Sequence, residues 1–324
     1  MSGPDPYQDD FARAAAAIDG AGRVALACHV NPDGDALGSL LGLLHVLRAA
    51  GRDCVASFSE PFGVAPHYRE LPGLELLVPP SQFPEAPEVM VTFDSGALHR
   101  LGDLADAAKA ASELVVLDHH VSNERYGSIN VIVPDAAATA VVVHRLIDEL
   151  GLPLNRDAAV CLYAALVCDT GRFQYETTTP EVFQLAAELV DFGVPVARLS
   201  RSLFEEHRFA YLKLLGAALE RAVLDPEHSF VYTSVTQEDL AHYDVSFEEV
   251  EGLIDVVRRT SEAEVAAVFK EGTDGLTRVS LRSLGSVDVC RIAQSQGGGG
   301  HRFAAGFSTD EPVPDIVERI QNLL

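Results

Sequence analysis

The sequence predicts an α/β protein: a doubly wound, mainly parallel sheet in an N-terminal domain, followed by a smaller α+β domain. Short apolar runs alternate with helical patterns through the first half, which is typical of a parallel sheet. In the last third, segments that alternate apolar and polar residues, as strands do, are combined with short helical segments, which is typical of an α+β domain. The length of 324 residues also favours two domains over one.

In the first half, four apolar runs predict strands: Val24–Cys28, Asp53–Phe58, Val89–Phe93 and Leu114–Leu117. Two segments between them have helical periodicity, Ala36–Ala50 and Ala97–Ala111. Because ligands gather beyond the carboxyl ends of parallel strands, polar residues that follow these runs are candidates for a site.

From Ala136 onward the pattern becomes helical. Helices are predicted at Thr139–Leu150, Asp157–Cys168, Thr179 to near Gly193, and, as one or two helices, Val196–Val223. The helical segment after Asp135 offers an apolar face that serves either as core or as a subunit interface.

The C-terminal part predicts strands at His228–Val235, Ala263–Lys270 and Leu276–Arg282, and helices at Ser246–Arg258 and Val287–Gln294. The expected domains are therefore a catalytic domain at 1–200, a helical connector at 201–222 and a second domain at 223–324.

Composition limits the partners. The net charge of −24 argues against long duplex DNA as a partner, because a phosphate backbone needs a basic surface. No apolar run is long enough for a membrane span, so no membrane association is expected. Five scattered cysteines and a polar N-terminus without an export signal predict a cytoplasmic protein with reduced thiols.

The most informative residues are acids and histidines that follow the apolar runs. They are His29, Asp33 and Asp35 after the first strand, Asp94 after the third, Asp118-His119-His120 after the fourth, and Asp169 after an apolar helix. Taken singly, several have structural explanations, such as an Asx turn that caps a helix at Asp33 or a turn at Asp94. Together, the carboxylates and imidazoles suit a pair of divalent metals such as Mn2+. Such pairs, about 3.5–4 Å apart, serve phosphoester hydrolysis by activated water.

These residues resemble the motifs of the DHH family of phosphoesterases. Four motifs occur in order: His29–Asp35, Asp94-Ser95-Gly96, Asp118-His119-His120 with Asn123, and Asp169-Thr170-Gly171. A fifth, Gly297–Gly300 with His301, is similar to the glycine-rich motif of the associated DHHA1 domain. The set looks most like the bacterial oligoribonuclease branch, whose members degrade very short RNAs and dephosphorylate pAp (3′-phosphoadenosine 5′-phosphate).

The resemblance implies a ligand set. His29, Asp33 and Asp94 would hold one metal, and Asp35, Asp94, His119 and Asp169 the second, with Asp94 bridging. Asp118 would orient its neighbours, and His120 would lie against the scissile phosphate as a charge stabiliser or proton donor. The branch also implies a homodimer.

Substrate contacts are expected in both domains. Arg100 and Asn123 are candidates near the metals. Arg282, Ser283, Gly299, Gly300 and His301 are candidates in the second domain, where glycines allow a phosphate close to the backbone. We expect this second site to restrict the enzyme to short substrates, an idea that fails if Arg282→Ala with His301→Ala leaves dinucleotide cleavage unchanged.

The sequence does not choose among short RNA (nanoRNA), pAp, pApA and cyclic di-AMP as substrates. Three alternatives stay open: a cyclic-di-AMP phosphodiesterase, a pyrophosphatase with the same metal motifs, and a non-catalytic nucleotide sensor.

Overall fold

A computed structural model describes residues 5–324, except for the side chain of His301. The chain divides into two compact units, the first ending at Glu206 and the second beginning at His207. The second unit therefore begins inside the segment predicted as a connector. Within the described residues, no helix is both long enough and apolar enough to cross a bilayer.

The first unit contains a five-stranded sheet in which all neighbouring strands are parallel. Its strands are β1 (Val24–Cys28), β2 (Cys54–Ser57), β3 (Val89–Phe93), β4 (Glu113–Asp118) and β5 (Ile129–Ile132). The spatial order β2-β1-β3-β4-β5 changes direction at the β1–β3 pair. The predicted doubly wound, parallel sheet is confirmed. In sheets of this kind, ligands usually bind at the carboxyl ends of the strands where the order reverses.

From residue 5 onward this unit has seven α-helices: α1 (Gln8–Gly20), α2 (Gly34–Ala49), α3 (Ala105–Ala110), α4 (Thr139–Glu149), α5 (Arg156–Asp169), α6 (Pro180–Asp191) and α7 (Val196–Phe204). Both faces of the sheet are covered. Val24 and Leu26 of β1 pack into the larger cluster with α1, α2, α4 and α5, while Ala25 and Ala27 face α3. Burial on both faces explains why the strands are continuously apolar.

One prediction for this unit is wrong, and one pair of alternatives that the sequence left open is resolved. Ala97–Ala111 is not one helix: a 3₁₀ helix at Leu98–Leu104 is interrupted at Gly102, whose φ is +54°, and only α3 is α-helical. A Cβ at Gly102 would lie 2.3 Å from Ser59 Oγ, so the close approach of that loop accounts for the break. The apolar face of α4, which the sequence left open, is buried in the core of the unit.

The second unit contains a six-stranded mixed sheet with the order β10-β11-β9-β8-β7-β6. Its strands are β6 (Val223–Asp225), β7 (Phe230–Val235), β8 (Val265–Glu271), β9 (Thr277–Ser283), β10 (Gly299–His301) and β11 (Ala304–Thr309). Its helices are α8 (Phe209–Glu220), α9 (Gln237–Tyr243), α10 (Ile254–Val257), α11 (Val289–Ser295) and α12 (Val313–Gln321). Only β7 and β8 are parallel. The predicted α+β character is confirmed.

The segment Ser246–Arg258 is helical but not one α-helix, since a 3₁₀ helix at Glu248–Leu253 precedes α10. The glycine run does not form a loop throughout: Gly299 and Gly300 belong to β10, which pairs antiparallel with β11.

Candidate metal centre

The polar residues singled out from the sequence meet at one edge of the parallel sheet. His29 follows β1, Asp94 follows β3 and Asp118 is the last residue of β4. Asp169 is the last residue of α5, which packs closely on α2. Three strand ends and one helix end therefore bring together residues that are up to 140 positions apart in the chain.

His29 occupies one side of this cluster and is buried. Its Nδ1 lies 2.8 Å from the carbonyl oxygen of Val30, so Nδ1 carries the proton and donates it. Its Nε2 then faces two acids, 3.6 Å from Asp94 Oδ2 and 4.0 Å from Asp33 Oδ1. A backbone carbonyl that fixes the tautomer in this way is typical of a histidine that ligates metal through Nε2.

Asp33 has two roles in the structure. Its Oδ1 accepts hydrogen bonds from the backbone amides of Asp35 (3.1 Å) and Ala36 (3.0 Å), which caps α2. The structural explanation for this residue is therefore correct, and it coexists with the position near His29 because a carboxylate has several lone pairs.

His119 occupies the other side and follows the same pattern. Its Nδ1 donates to the carbonyl oxygen of Ala136 at 2.9 Å. Its Nε2 lies 3.2 Å from Asp169 Oδ2, 3.6 Å from Asp94 Oδ1 and 3.8 Å from Asp35 Oδ2. The two histidines thus present equivalent nitrogens to different sets of acids.

Asp94 lies between the two sides. Its Oδ2 faces His29 and its Oδ1 faces His119, each at 3.6 Å. Its backbone is left-handed, with φ +54°, a conformation that is uncommon outside glycine but tolerated by Asp. The residue is 5% exposed. This conformation directs one carboxylate toward both halves of the cluster.

Thr139, the first residue of α4, was missed by the sequence reasoning. Its hydroxyl donates to Asp94 Oδ1 at 2.9 Å, and its amide donates to Asp35 Oδ2 at 2.6 Å. The amide of Ala140 and the hydroxyl of Ser39 both bond Asp35 Oδ1. A threonine that opens an apolar helix directly after three alanines was the available signal.

Burial and mutual repulsion shape the ionisation of the acids. Burial, with the charges of Asp94, Asp169 and Asp33, raises the pKa of Asp35 well above its ordinary value. Burial also raises the pKa of Asp169 to about 7, against an opposing effect of His119. Burial alone would raise the pKa of Asp94, but the interactions with His29, His120 and His119 outweigh it and hold that pKa well below normal.

Asp118 and His120 form a pair beside the cluster. Asp118 is fully buried and accepts from His120 Nδ1 at 2.7 Å and from the amide of His119 at 2.8 Å. Burial by itself lowers the pKa of His120, but the hydrogen bond and charge of Asp118, with Asp94 and Asp169, raise it to about 10. His120 is therefore protonated at neutral pH in this structure.

The side-chain amide of Asn123 points toward Asp118. Its amide nitrogen donates to Asp118 Oδ2 at 2.5 Å and to the carbonyl of Ser95 at 3.2 Å. Both amide protons are used internally, so the structure favours a positioning role through Asp118 over the predicted substrate contact.

The donor set fits divalent metals. Three groups have ligand atoms within 4.8 Å of one another: His29 with Asp33 and Asp94; Asp35 with His119 and Asp169; and Asp94 with His119 and His120. Hard carboxylate oxygens combined with imidazole suit Mn2+, and cations would offset the repulsion among buried acids.

The remaining candidates are dispersed. Arg100 is exposed in the 3₁₀ helix, and its carbonyl accepts from the amide of Val30, next to His29. In the second unit, Arg282 lies on β9 opposite Ala304 of β11, with Nε 3.6 Å from Asp255. Ser283 is buried, and its amide donates to the carbonyl of Phe303.

The glycine-rich hairpin, residues 297–306, owes its form to missing side chains. A Cβ at Gly298 would lie 2.1 Å from the carbonyl oxygen of Gly306, and one at Gly300 2.5 Å from that of Ala304. At Gly299 a Cβ would meet nothing within 4 Å. Gly298 and Gly300 are therefore needed for strand packing, whereas Gly299 leaves open space beside the edge strand β10.

Comparison with known proteins agrees with this architecture. The sequence profile of the DHH family, N-terminal domain, matches residues 23–166, and that of the DHHA1 domain matches residues 227–324. The chain is 33% identical to the bifunctional oligoribonuclease and PAP phosphatase NrnA of Thermus thermophilus, covering 94% of this chain and 90% of that protein. It is 27% identical to the probable enzyme of the same name from Streptococcus mutans, covering 91% and 93%.

Two further matches differ in extent. The cyclic-di-AMP phosphodiesterase GdpP of Geobacillus thermodenitrificans is 27% identical over 93% of this chain, which spans 47% of that protein. An exopolyphosphatase-related protein from Bacteroides fragilis has the same fold, with a TM-score of 0.88 at 24% identity, covering 98% of this chain and 95% of that one. With both domain profiles in order and a relative above 30% identity over nearly its whole length, this chain belongs to the DHH family and carries a C-terminal DHHA1 domain.

Proposed function

We propose that this protein hydrolyses phosphoester bonds in short nucleotides, namely oligoribonucleotides of a few residues, pApA and the 3′-phosphate of pAp. The observation that carries the proposal is Asp94, whose two oxygens each face a histidine and its acids across a buried cluster. The relatives named as oligoribonuclease and PAP phosphatase support the substrate class.

Two divalent cations, Mn2+ by the donor set, are the proposed cofactors. His29, Asp33 and Asp94 would hold one, and Asp35, Asp94, His119 and Asp169 the other. Two of the three groupings of ligand atoms support this division, and the third, which contains Asp94 and His119, supports a place for Asp94 in the second set. When bound, such a pair lowers the pKa of water and offsets charge on the phosphoryl oxygens.

The chain's own residues account for the rest of the reaction. Asp118 holds His120 through Nδ1, and Asn123 holds Asp118, so the imidazole orientation is set before substrate arrives. His120, oriented by Asp118, would stabilise the charge on the phosphoryl group or donate a proton to the leaving oxygen. Thr139 fixes the rotamers of Asp94 and Asp35. No covalent intermediate on the enzyme is required.

Substrate contacts are proposed in each unit. Arg100 would contact a phosphate near the metal centre. In the second unit, Arg282, Ser283, Gly299, Gly300 and His301 would contact a terminal phosphate or base. The open space at Gly299 supports close approach of a ligand to the backbone.

A second candidate is cyclic di-AMP as the main substrate, favoured by the match to a cyclic-di-AMP phosphodiesterase across 93% of this chain. The lower identity of that match, 27% against 33%, places it second. We also propose that the protein acts in the cytoplasm as a homodimer.

The test is a turnover panel with Mn2+ over pAp, pApA, cyclic di-AMP, RNA from dinucleotides to long oligomers, and pyrophosphate. We expect the highest kcat/KM on pAp or the shortest RNAs. Preference for cyclic di-AMP would support the second candidate. Preference for pyrophosphate or for the longest RNA, or no turnover on any compound, would reject the proposal.

A further inference from the structure

Arg282 projects from the face of the second sheet that packs against α10. Its neighbour across the β8–β9 pair is Ala266, which belongs to the same apolar cluster as Ile254 and Val257 of α10. Opposite residues of an antiparallel pair lie on the same face of a sheet. Leu281, the preceding residue, belongs to the apolar cluster on the other face. The side chain of Arg282 therefore lies on the side of α10.

The guanidinium group of Arg282 is only partly satisfied by the protein. Its Nη1 donates to the carbonyl oxygen of Leu281 at 3.1 Å, which is its one hydrogen bond among the residues that the structure describes. Its Nε is buried and has no hydrogen-bond partner among them, although Oδ1 of Asp255 lies 3.6 Å away. Since a guanidinium group has five N–H donors, most of them are left for a ligand or for water.

Asp255 lies closer to a second arginine. Its Oδ1 is 3.0 Å from Nε of Arg258, and this is the same oxygen that faces Arg282. One carboxylate oxygen thus lies between two guanidinium groups. Because Coulomb attraction weakens with distance, the closer pair with Arg258 offsets much of the charge of Asp255. Asp255 can therefore orient Arg282 without cancelling the positive charge of that arginine.

We propose that Asp255 is a positioning residue that directs Arg282 toward the terminal phosphate of a short nucleotide, and that Arg258 keeps the charge of Asp255 from repelling that phosphate. The inference rests on the proposed function, since it specifies how one of the proposed substrate contacts is oriented. The donors of a guanidinium group form a rigid, planar fork, which binds a phosphate well only when the fork faces it. Two residues of the α10 region would thereby set the preference for substrates that carry a terminal phosphate.

The experiment compares two dinucleotides that differ by one phosphate. The full chain with Mn2+ is titrated with ApA and with pApA, each carrying a methylenephosphonate linkage that resists hydrolysis. The ratio of the two dissociation constants gives the phosphate preference. We expect a preference of about tenfold in the wild type, and a ratio within about twofold of one in Arg282→Ala. A wild-type protein without a phosphate preference overturns the proposal.

Asp255→Asn is the decisive variant. It should lower the phosphate preference from about tenfold to about twofold by weakening pApA binding, because the fork of Arg282 is no longer directed, while the affinity for ApA stays unchanged. An acid that merely lies near the phosphate would act in the opposite sense, since its removal relieves repulsion. A phosphate preference at or above the wild-type value therefore overturns the proposal. An equal loss of affinity for both dinucleotides also overturns it, because that result would indicate a general structural defect.

Asp274→Asn is the matched control. Asp274 is also an acid that pairs with an arginine of β9, but its partner is Arg278, at 2.8 Å, and not Arg282. The substitution changes the net charge by the same amount as Asp255→Asn and should leave the phosphate preference unchanged. If both variants changed the preference equally, the total charge of the protein and not the orientation of Arg282 would determine it, and the proposal would fail.

Arg258→Ala tests whether Arg258 acts through Asp255. Without Arg258 the charge of Asp255 acts mainly on Arg282, so Asp255 competes with the phosphate and the preference should fall about fivefold. The double variant should match Asp255→Asn alone, because the competing charge is gone. Additive losses would give Arg258 an independent role and contradict the proposal. Turnover of ordinary pApA reports separately on the proposed function: the expected preferences without turnover would reject that function and leave this inference standing.

Discussion

The acid–histidine cluster of the first unit and the glycine-rich hairpin of the second are built in opposite ways. In the cluster, buried side chains are held by many partners: Asp35 alone accepts three hydrogen bonds. In the hairpin, the missing side chains of Gly298 and Gly300 allow the strands to pack, and that of Gly299 leaves open space. The first arrangement fixes the direction of charges, while the second leaves space. We therefore expect changes in the cluster to reduce the chemical step and changes in the hairpin to weaken binding.

The largest effect is expected for Asp94→Asn. The amide keeps the shape but removes the charge that faces both histidines, so several kcal/mol of transition-state stabilisation should be lost, about 10³-fold in kcat. Steady-state kinetics on pAp with saturating Mn2+ measures it. Asp106→Asn, which changes an exposed acid paired with Lys109, is the control and should retain full activity. If kcat of the Asp94→Asn variant stayed within tenfold of the wild-type value, the acid–histidine cluster would not differ from the glycine-rich hairpin in its effect on the chemical step.

Thr139→Val should have the next largest effect. It deletes the hydroxyl that orients Asp94 without changing side-chain size, and loss of such a supporting bond typically weakens metal affinity about 10–100-fold. Titration of activity against free Mn2+ gives the shift. Thr92→Val removes another buried hydroxyl, one that bonds Tyr126 and Val115 instead, and should leave the Mn2+ dependence unchanged. Equal shifts in the two variants would mean that only general stability is being measured.

Arg282→Ala tests the binding role that we expect for the second unit. Loss of one charged contact should raise KM for a dinucleotide about tenfold and leave kcat nearly unchanged. Arg278→Ala, on the same strand but paired with Asp274, serves as the control. A fall in kcat with constant KM would place Arg282 with the chemical step and contradict a binding role.

The smallest effect concerns stability in the absence of metal. The pKa of Asp169 is about 7 in the folded protein and about 3.9 when unfolded. Between those values the folded state binds more protons, so stability falls as pH rises and stays reduced above pH 7.

Asp169→Asn removes this contribution. In EDTA at pH 8 the variant should therefore melt a few degrees above wild type. Its Tm should also change less between pH 5 and pH 8. Adding Mn2+ should reverse the order, since wild type keeps the full ligand set. Parallel pH profiles in EDTA would show that Asp169 is not under the repulsion described above.

Sequence periodicity located most of the first unit because its strands are buried on both faces. The predicted and observed bounds of β1 and β3 coincide. β5 was not predicted, since four residues between a Gly-Ser turn and a Pro-Asp turn give little signal. The break at Gly102 was also not predictable, because it depends on contact with Ser59 from a distant loop.

The same contrast applies to the functional residues. Acids and histidines at strand ends are visible in the sequence because parallel strands share one edge. Thr139 is not, since its role depends on where the first turn of α4 lies relative to Asp35 and Asp94. The sequence identified Asn123 as a candidate but did not reveal its hydrogen bonds, because only the structure shows that its amide protons reach Asp118 and Ser95.

The position of Thr139 has a consequence for engineering this enzyme. α4 is packed through Val143 and Leu146 into the main core of its unit, and its first residue clamps two acids of the proposed centre. Repacking those distant core positions to gain thermal resistance would tilt or shift the helix, and the carboxylates would move with it. Directed evolution of this scaffold should therefore find that heat tolerance and turnover rate change together, even for substitutions that never touch the substrate.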